Sequence, residues 1–263
     1  MNYLFRFTVV LLLSAVFCGC QSASSDIGAK ISKIDDPTLR KVIEDNTITC
    51  YHSIDCMCEI NCICGSATAT YKGQTGQVLM LQDHEVAFGD NDVEIVGKLP
   101  EGHKKWCLNN DKADISINGK KIKTLTDNEC FEAHLMLLLE RYAFAGVAGV
   151  NNDADEINYV GIVTKGGKKH HRIDFTGDFV GSNNKMTLWI NTETNQLDKI
   201  WLKYNRSGKD QFAGVNIGQY KYVSMGQNGI KLPFLLEFVE SDKYQYMNCA
   251  SKIRLEFANL QVR

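Results

Sequence analysis

The stretch from Met186 to Pro233 constrains the fold more than any other. It reads as a strand, a polar turn and a returning strand, then a further strand that turns at Asn228-Gly229 before Ile230-Lys231-Leu232-Pro233. In extended chain successive side chains point to opposite faces, so Met186, Leu188 and Ile190 share one face and Thr187 and Trp189 the other. On the return, Ile200, Leu202 and Tyr204 share a face, with Leu197, Lys199, Trp201 and Lys203 opposite. An antiparallel strand with one wet face is polar on that face. A tryptophan on the second face of each strand therefore implies that both faces are covered, or that one lines a cavity.

The rest of the chain supplies more strands. Extended runs are expected at 48–52, 62–71, 76–82 and 92–97, then at 157–164, 171–179, 186–191, 197–204, 214–224, 231–239 and 251–262. Ile115 and Ile117, Asn118-Gly119 and Ile122 form a hairpin with a type I′ turn. Two segments read as helical. Asp36 is a natural N-cap, with Pro37 at the first helical position and Leu39, Val42 and Ile43 in one stripe. The second helix starts at the capping box Thr126–Glu129 and runs from Cys130 to about Ala145. Its apolar surface wraps nearly all round, as in a helix buried on most sides, and it either plugs the mouth of a β-structure or covers one sheet face. The continuation to Val150 is apolar but broken by glycine, and the acidic stretch 151–156 reads as an exposed loop. The fold class is mainly β (α+β): a curved antiparallel sheet or open β-barrel of roughly ten strands, with one or two helices packed on or plugging the concave side.

The N-terminus gives an address. Arg6, the apolar run from Phe7 to Phe17 and the small residues after it form an export signal. The run is shorter than the roughly 20 residues a spanning helix needs, and no later stretch reads as long enough. Gly19-Cys20 resembles a lipobox, which makes Cys20 the lipid-attachment residue; plain secretory cleavage is the alternative. This divides the chain into a lipoprotein signal peptide (1–19), a small polar tether (20–34) and one β-rich domain (35–263) whose part from about 48 to 66 is cysteine-rich. The protein is then exported and lipid-anchored in the bacterial envelope, at the outer membrane facing the periplasm. With 29 Lys+Arg, 31 Asp+Glu and a net charge of −2, the chain lacks the concentrated basic footprint that nucleic acid requires. Three prolines and a hydrophobic share of 44% argue against extended disorder.

Beyond Cys18 and Cys20 lie Cys50, Cys56, Cys58, Cys62, Cys64, Cys107, Cys130 and Cys249, an even set in an exported chain and hence disulfide candidates. If 56–64 is extended, its four cysteines share one face; a turn at 59–61 would instead bring Cys58 near Cys62 and Cys56 near Cys64. Thiolates in this spacing also suit zinc or Cu(I). Bridging is favoured, because C-x-C differs from the common C-x₂-C knuckle and oxidation removes thiolates.

Catalytic signatures do not emerge. His170 and His171 lie beside Asp174, but adjacent strand residues point apart. His84, His103 and His134 are isolated, Ser182 lacks the G-x-S-x-G elbow, and neither a P-loop nor G-x-G-x-x-G occurs. No cofactor, metal or catalytic residue is expected.

The segment from Arg172 to about Val239 resembles the superfamily of periplasmic lipoprotein carriers and outer-membrane lipoprotein receptors. The likeness lies in Leu188-Trp189-Ile190-Asn191-Thr192-Glu193-Thr194, then Leu197-Asp198-Lys199-Ile200, a Tyr-Lys-Tyr strand and Asn228-Gly229-Ile230-Lys231-Leu232-Pro233. The cysteine cluster departs from that pattern. The resemblance implies an open, strongly curved antiparallel barrel with helices in its concave side, holding acyl chains there. On that basis a lipid or lipoprotein acyl chain is the expected partner, the chain is not an enzyme, and Trp189, Trp201 and Leu138 are the expected lining. The alternatives are a structural module that binds a protein or polysaccharide, with a filled interior, and a thiol or metal site at Cys56–Cys64.

Overall fold

The computed structural model describes residues 24–73, 76–87, 93–99, 102–109, 112–122, 127–179, 184–226, 228–247 and 253–263. Three helices come first: α1 (Ser24–Ser32), α2 (Pro37–Tyr51) and α3 (Ile54–Cys58). Six strands follow: β1 (Cys62–Gly73), β2 (Gly76–Ala87), β3 (Val93–Leu99), β4 (Gly102–Asn109), β5 (Lys112–Ile117) and β6 (Lys120–Lys121). After the long helix α4 (Asp127–Asp153) come β7 (Glu156–Lys165), β8 (Lys168–Gly177), β9 (Asn184–Asn191), β10 (Leu197–Arg206) and β11 (Lys209–Gly218). The chain closes with β12 (Lys221–Met225), β13 (Asn228–Leu232), β14 (Leu235–Glu240) and β15 (Ile253–Val262).

Thirteen strands form one open antiparallel sheet in the order β6-β5-β4-β3-β2-β1-β15-β14-β11-β10-β9-β8-β7, while β12 and β13 pair separately. The C-terminal strand β15 thus joins the two halves of the chain, pairing with β1 on one side and β14 on the other. The ladder register shifts between Cys64 and Ser66, between Tyr159 and Gly161, and between Leu197 and Lys199. Such bulges bend strands and increase their twist, which curves a sheet this wide.

Helix α4 runs through the concave side and contacts β3, β4 and β5 as well as β8, β10, β11 and β14. It therefore plugs the sheet. By length and composition Ala133–Asp153 could cross a membrane, which corrects the expectation that no later stretch is long enough, yet 78% of that window is buried inside the molecule. The sequence break at Gly146 is real, with φ 65° and ψ −160°, but the helix resumes beyond it to Asp153. Helix α2 covers the break: the Tyr51 hydroxyl donates to the Phe144 carbonyl, and Asn46 Oδ1 accepts from the Val147 N–H at 3.4 Å.

Several expectations change. Residues 48–52 continue α2 up to Tyr51, because Leu39, Val42, Ile43, Asn46, Thr47 and Cys50 are buried at helical spacing. Asp36 caps that helix as read, with Oδ1 accepting from the Thr38 and Leu39 N–H groups at 2.8 and 3.1 Å. Within 20–34, residues Ser24–Ser32 are helical, and Ile31 is packed into the core at 1% exposure. Asp153 belongs to α4 and not to a loop: its Oδ2 accepts from Arg141 Nη2 at 2.8 Å and from the Tyr142 hydroxyl at 2.9 Å. The runs 214–224 and 231–239 each divide into two strands, which raises the strand count; Gln219 takes a positive φ of 54°, and Pro233 has no N–H for a ladder. Met225 pairs with Asn228, so Asn228-Gly229 lies in β13 and not in the turn. Among the described residues there are four helices where one or two were expected, because three of them fall between Ser24 and Cys58. The Asn118-Gly119 turn stands, with positive φ at both residues. Thr126 and the Glu129 side chain lie outside what is described.

The opening pattern is explained. Every residue from Met186 to Asn191 is buried, so both faces of β9 are covered. Met186, Leu188 and Ile190 belong to the core on the concave side. The outer face is roofed by Ser241–Met247: Trp201 Nε1 donates to the Asp242 carbonyl at 3.1 Å, and Gln245 Nε2 donates to Thr187 Oγ1 at 3.2 Å. Lys165 Nζ lies 5.0 Å from the Trp189 ring centroid and donates to the Gln245 carbonyl. Gly214 makes room for this roof, since a Cβ there would come within 2.8 Å of Met247 Cε.

Candidate functional site

A cavity of about 710 Å³ lies between α4 and the sheet. Helix α4 contributes Ala133, Leu135, Met136 and Leu139; the strands contribute Tyr71, Trp106, Ile115, Tyr204, Ala213, Phe238 and Ile253. These come from β1, β4, β5, β10, β11, β14 and β15, so the curvature of the sheet is what assembles them. Among the described lining residues the charged ones are Lys104, Arg206 and Glu240, and Lys104 Nζ sits 5.0 Å from the Trp106 ring centroid.

From this cavity a chain of polar groups leads into the core. The Tyr71 hydroxyl accepts from Gln82 Nε2, Gln82 Oε1 is 3.1 Å from His84 Nε2, and His84 Nδ1 is 2.7 Å from Glu140 Oε1. His84 is 4% exposed and Glu140 fully buried, and Glu140 Oε2 has no hydrogen-bond partner among the described residues. Burial pushes the Tyr71 hydroxyl up to about 12, the Gln82 hydrogen bond opposes this and the Glu140 charge adds to it, so it stays a neutral donor facing the cavity. A few polar groups placed among apolar and aromatic side chains are how such cavities orient a ligand. No local pattern announces this chain of groups, because His84 and Glu140 are 56 residues apart.

The residues singled out from sequence lie elsewhere. Trp189 and Trp201 occupy the outer face under the 241–247 roof, and Trp201 stacks on Phe212 with centroids 5.6 Å apart. Strand alternation puts them there, since their neighbours Leu188, Ile190, Ile200 and Leu202 fill the concave side. Leu138 is packed in the core beside Leu139, and none of the three is among the lining residues. His170 and His171 point apart as expected: His170 Nε2 is 3.0 Å from Asp198 Oδ2, and His171 Nδ1 is 2.8 Å from the Tyr159 hydroxyl.

The cysteine segment is half helix and half strand, so its four cysteines do not share one pleat face. Cys56 and Cys58 sit in α3, and Cys62 and Cys64 on β1 with their sulfurs 3.3 Å apart. Cys50, Cys56, Cys62 and Cys64 carry free thiols. Burial raises the Cys50 thiol to about 12, and burial together with the hydrogen bond shared with Cys62 does the same at Cys64. Cys107 is on β4 and the Cys130 backbone in α4; the Cys130 side chain, Cys20 and Cys249 lie outside the described residues.

No family model matches the sequence, and no curated protein matches it. Solved structures do match in fold. A LolA superfamily protein from Nitrosomonas europaea aligns with a TM-score of 0.54 at 11% identity, over 85% of this chain and 93% of that one. A DUF1329 family protein from Desulfovibrio piger gives 0.55 at 10% identity, over 85% and 92%. A domain from Vibrio parahaemolyticus named for outer-membrane lipoprotein sorting gives 0.51 at 9%, over 85% and 91%. An open, curved antiparallel sheet with a helix in its concavity is thus common to all of them, and in fold this chain is LolA-like.

Proposed function

We propose that the protein is a non-enzymatic, lipid-anchored component of the bacterial envelope, tethered through Cys20, that holds a lipid or the acyl chain of a lipoprotein between α4 and the sheet. One observation carries the reading: the cavity of about 710 Å³ walled by Leu135, Met136, Leu139, Trp106 and Phe238. Its size falls in the range of about 300–1,000 Å³ typical of ligand sites. Each methylene taken out of water contributes about 0.8 kcal/mol, so ten of them supply about 8 kcal/mol. The Tyr71 hydroxyl would meet the polar end of such a ligand. Two of the fold neighbours carry names that fit the role, a LolA superfamily protein and a lipoprotein-sorting domain. A structural module would fill its interior, and the cavity weighs against that alternative. The signal and Gly19-Cys20 support a place in the envelope, which we propose is the outer membrane facing the periplasm. Delipidated protein titrated with a fluorescent fatty acid tests the binding claim. Saturable binding of one equivalent is expected, and its absence contradicts the proposal.

A further inference from the structure

We propose that Cys62, Cys64 and Glu85 form a binding site for a thiophilic divalent cation, zinc by preference, on the outer face of the sheet. Ile63 is 1% exposed and points into the core, so its neighbours Cys62 and Cys64 face outward together, with Sγ atoms 3.3 Å apart. Glu85 lies directly opposite Cys64 on β2. One ligand atom from each of the three residues lies within 4.8 Å of the others.

The carboxylate is the second indication. Glu85 faces Glu94 across the β2–β3 ladder, a like-charge pairing that sheets disfavour. Glu94 is neutralised by Lys105, whereas Glu85 makes no ion pair among the described residues. A cation between Glu85 and the sulfurs would remove that imbalance.

Geometry selects the ion. Zinc–sulfur bonds of about 2.3 Å at the tetrahedral angle put two sulfurs about 3.8 Å apart, so the pair opens by only about 0.5 Å. A linear two-sulfur site, as soft monovalent Cu(I) favours, needs roughly 4.6 Å. A disulfide needs the sulfurs at about 2.05 Å, a contraction of more than an ångström between i and i+2 positions of a strand. That strand is held by ladders on both sides, against β2 and β15. Two thiolates and a carboxylate would leave one tetrahedral position open, and binding would release two protons, one from each thiol. All three side chains are reached from solvent: the thiols are half-buried and Glu85 is exposed.

The full chain, reduced and handled without oxygen, is titrated with Co²⁺ and then Zn²⁺. One equivalent of Co²⁺ should give a sulfur-to-cobalt charge-transfer band in the near ultraviolet, which one equivalent of Zn²⁺ removes. Cys62→Ser/Cys64→Ser should abolish the band, and Cys56→Ser/Cys58→Ser should keep it, each with a wild-type circular dichroism spectrum. Glu85→Gln should weaken binding at least about tenfold, the loss that even an outer-shell partner brings. The proposal is overturned by the absence of a band, by its persistence without Cys62 and Cys64, by its loss with Cys56 and Cys58, or by a Cys62–Cys64 disulfide in protein isolated from cells.

Discussion

His84 Nδ1 lies 2.7 Å from Glu140 Oε1 in the interior, joining strand β2 to the helix that fills the concave side. The pair is flanked by aromatic carbon: the His84 ring meets Phe257 edge-on at 5.1 Å, and Phe257 meets Phe144 at 5.3 Å. Through Gln82 the pair reaches Tyr71, the polar tip of the cavity wall. Helix position and cavity chemistry are therefore set by the same contact.

Removing one partner of such a pair leaves the other buried and uncompensated. Glu140→Ala should cost about 3–5 kcal/mol, and Glu140→Gln, which keeps an acceptor for His84, clearly less. Urea unfolding of the two variants measures this. Equal and small losses would show that the contact does not hold the helix.

The break in α4 should depend on both chains that meet there. Gly146 has a φ of 65° and a ψ of −160°, a conformation close to glycine-only, and a Cβ there would lie 3.2 Å from Asn46 Oδ1. Gly146→Ala should cost of order 1–3 kcal/mol. Asn46→Leu should also destabilise by about 1–3 kcal/mol, because the Val147 N–H and the Asn195 carbonyl lose their partner. Thermal unfolding of each variant is the check.

The roof over the outer face is pinned by few groups. Trp201→Phe keeps the ring stack on Phe212 but removes the hydrogen bond to the Asp242 carbonyl, and should cost about 1 kcal/mol. Hydrogen exchange should quicken in 241–247 while the β9 and β10 amides remain protected.

Acid should act through Asp174. Burial alone would raise its carboxyl, but hydrogen bonds from Arg172, Lys185 and Thr187 outweigh it and hold it below the ordinary 3.8. A group whose folded value is depressed gives stability that is full above the unfolded value and lost as pH falls through the folded one. Asp174→Asn should therefore be less stable than the parent at pH 7, and the gap should close below about pH 4. A gap unchanged between pH 7 and pH 3 would contradict this.

What the sequence made legible was what local rules determine. Asp36 with Pro37 marked the start of α2, Asn118-Gly119 marked a turn, and the second-face tryptophans marked a sheet covered on both sides. The end of α2 was hidden because Asn46 and Thr47 occupy buried helical positions, and polar residues there erase the apolar period. Asn46 is tolerated inside because its amide donates to the Asn195 carbonyl at 2.7 Å, a partner 149 residues away. The cavity was hidden for the same reason: Tyr71, Trp106, Leu139 and Phe238 meet only through the curvature of thirteen strands. The roof at 241–247 turned the tryptophans from expected lining into outer-face packing, and no local pattern announces a loop folding back over a sheet.

The central claim is that the space between α4 and the sheet holds an acyl chain. Mass spectrometry of the intact protein, isolated under native conditions from cells, measures this directly when parent and Met136→Trp are compared, because Met136 lines the cavity and is only half-buried. A bound lipid-sized mass in the parent that is absent or sharply reduced in Met136→Trp, with both proteins folded, is the result the account predicts. An empty parent in repeated preparations, or equal occupancy in both, would contradict it.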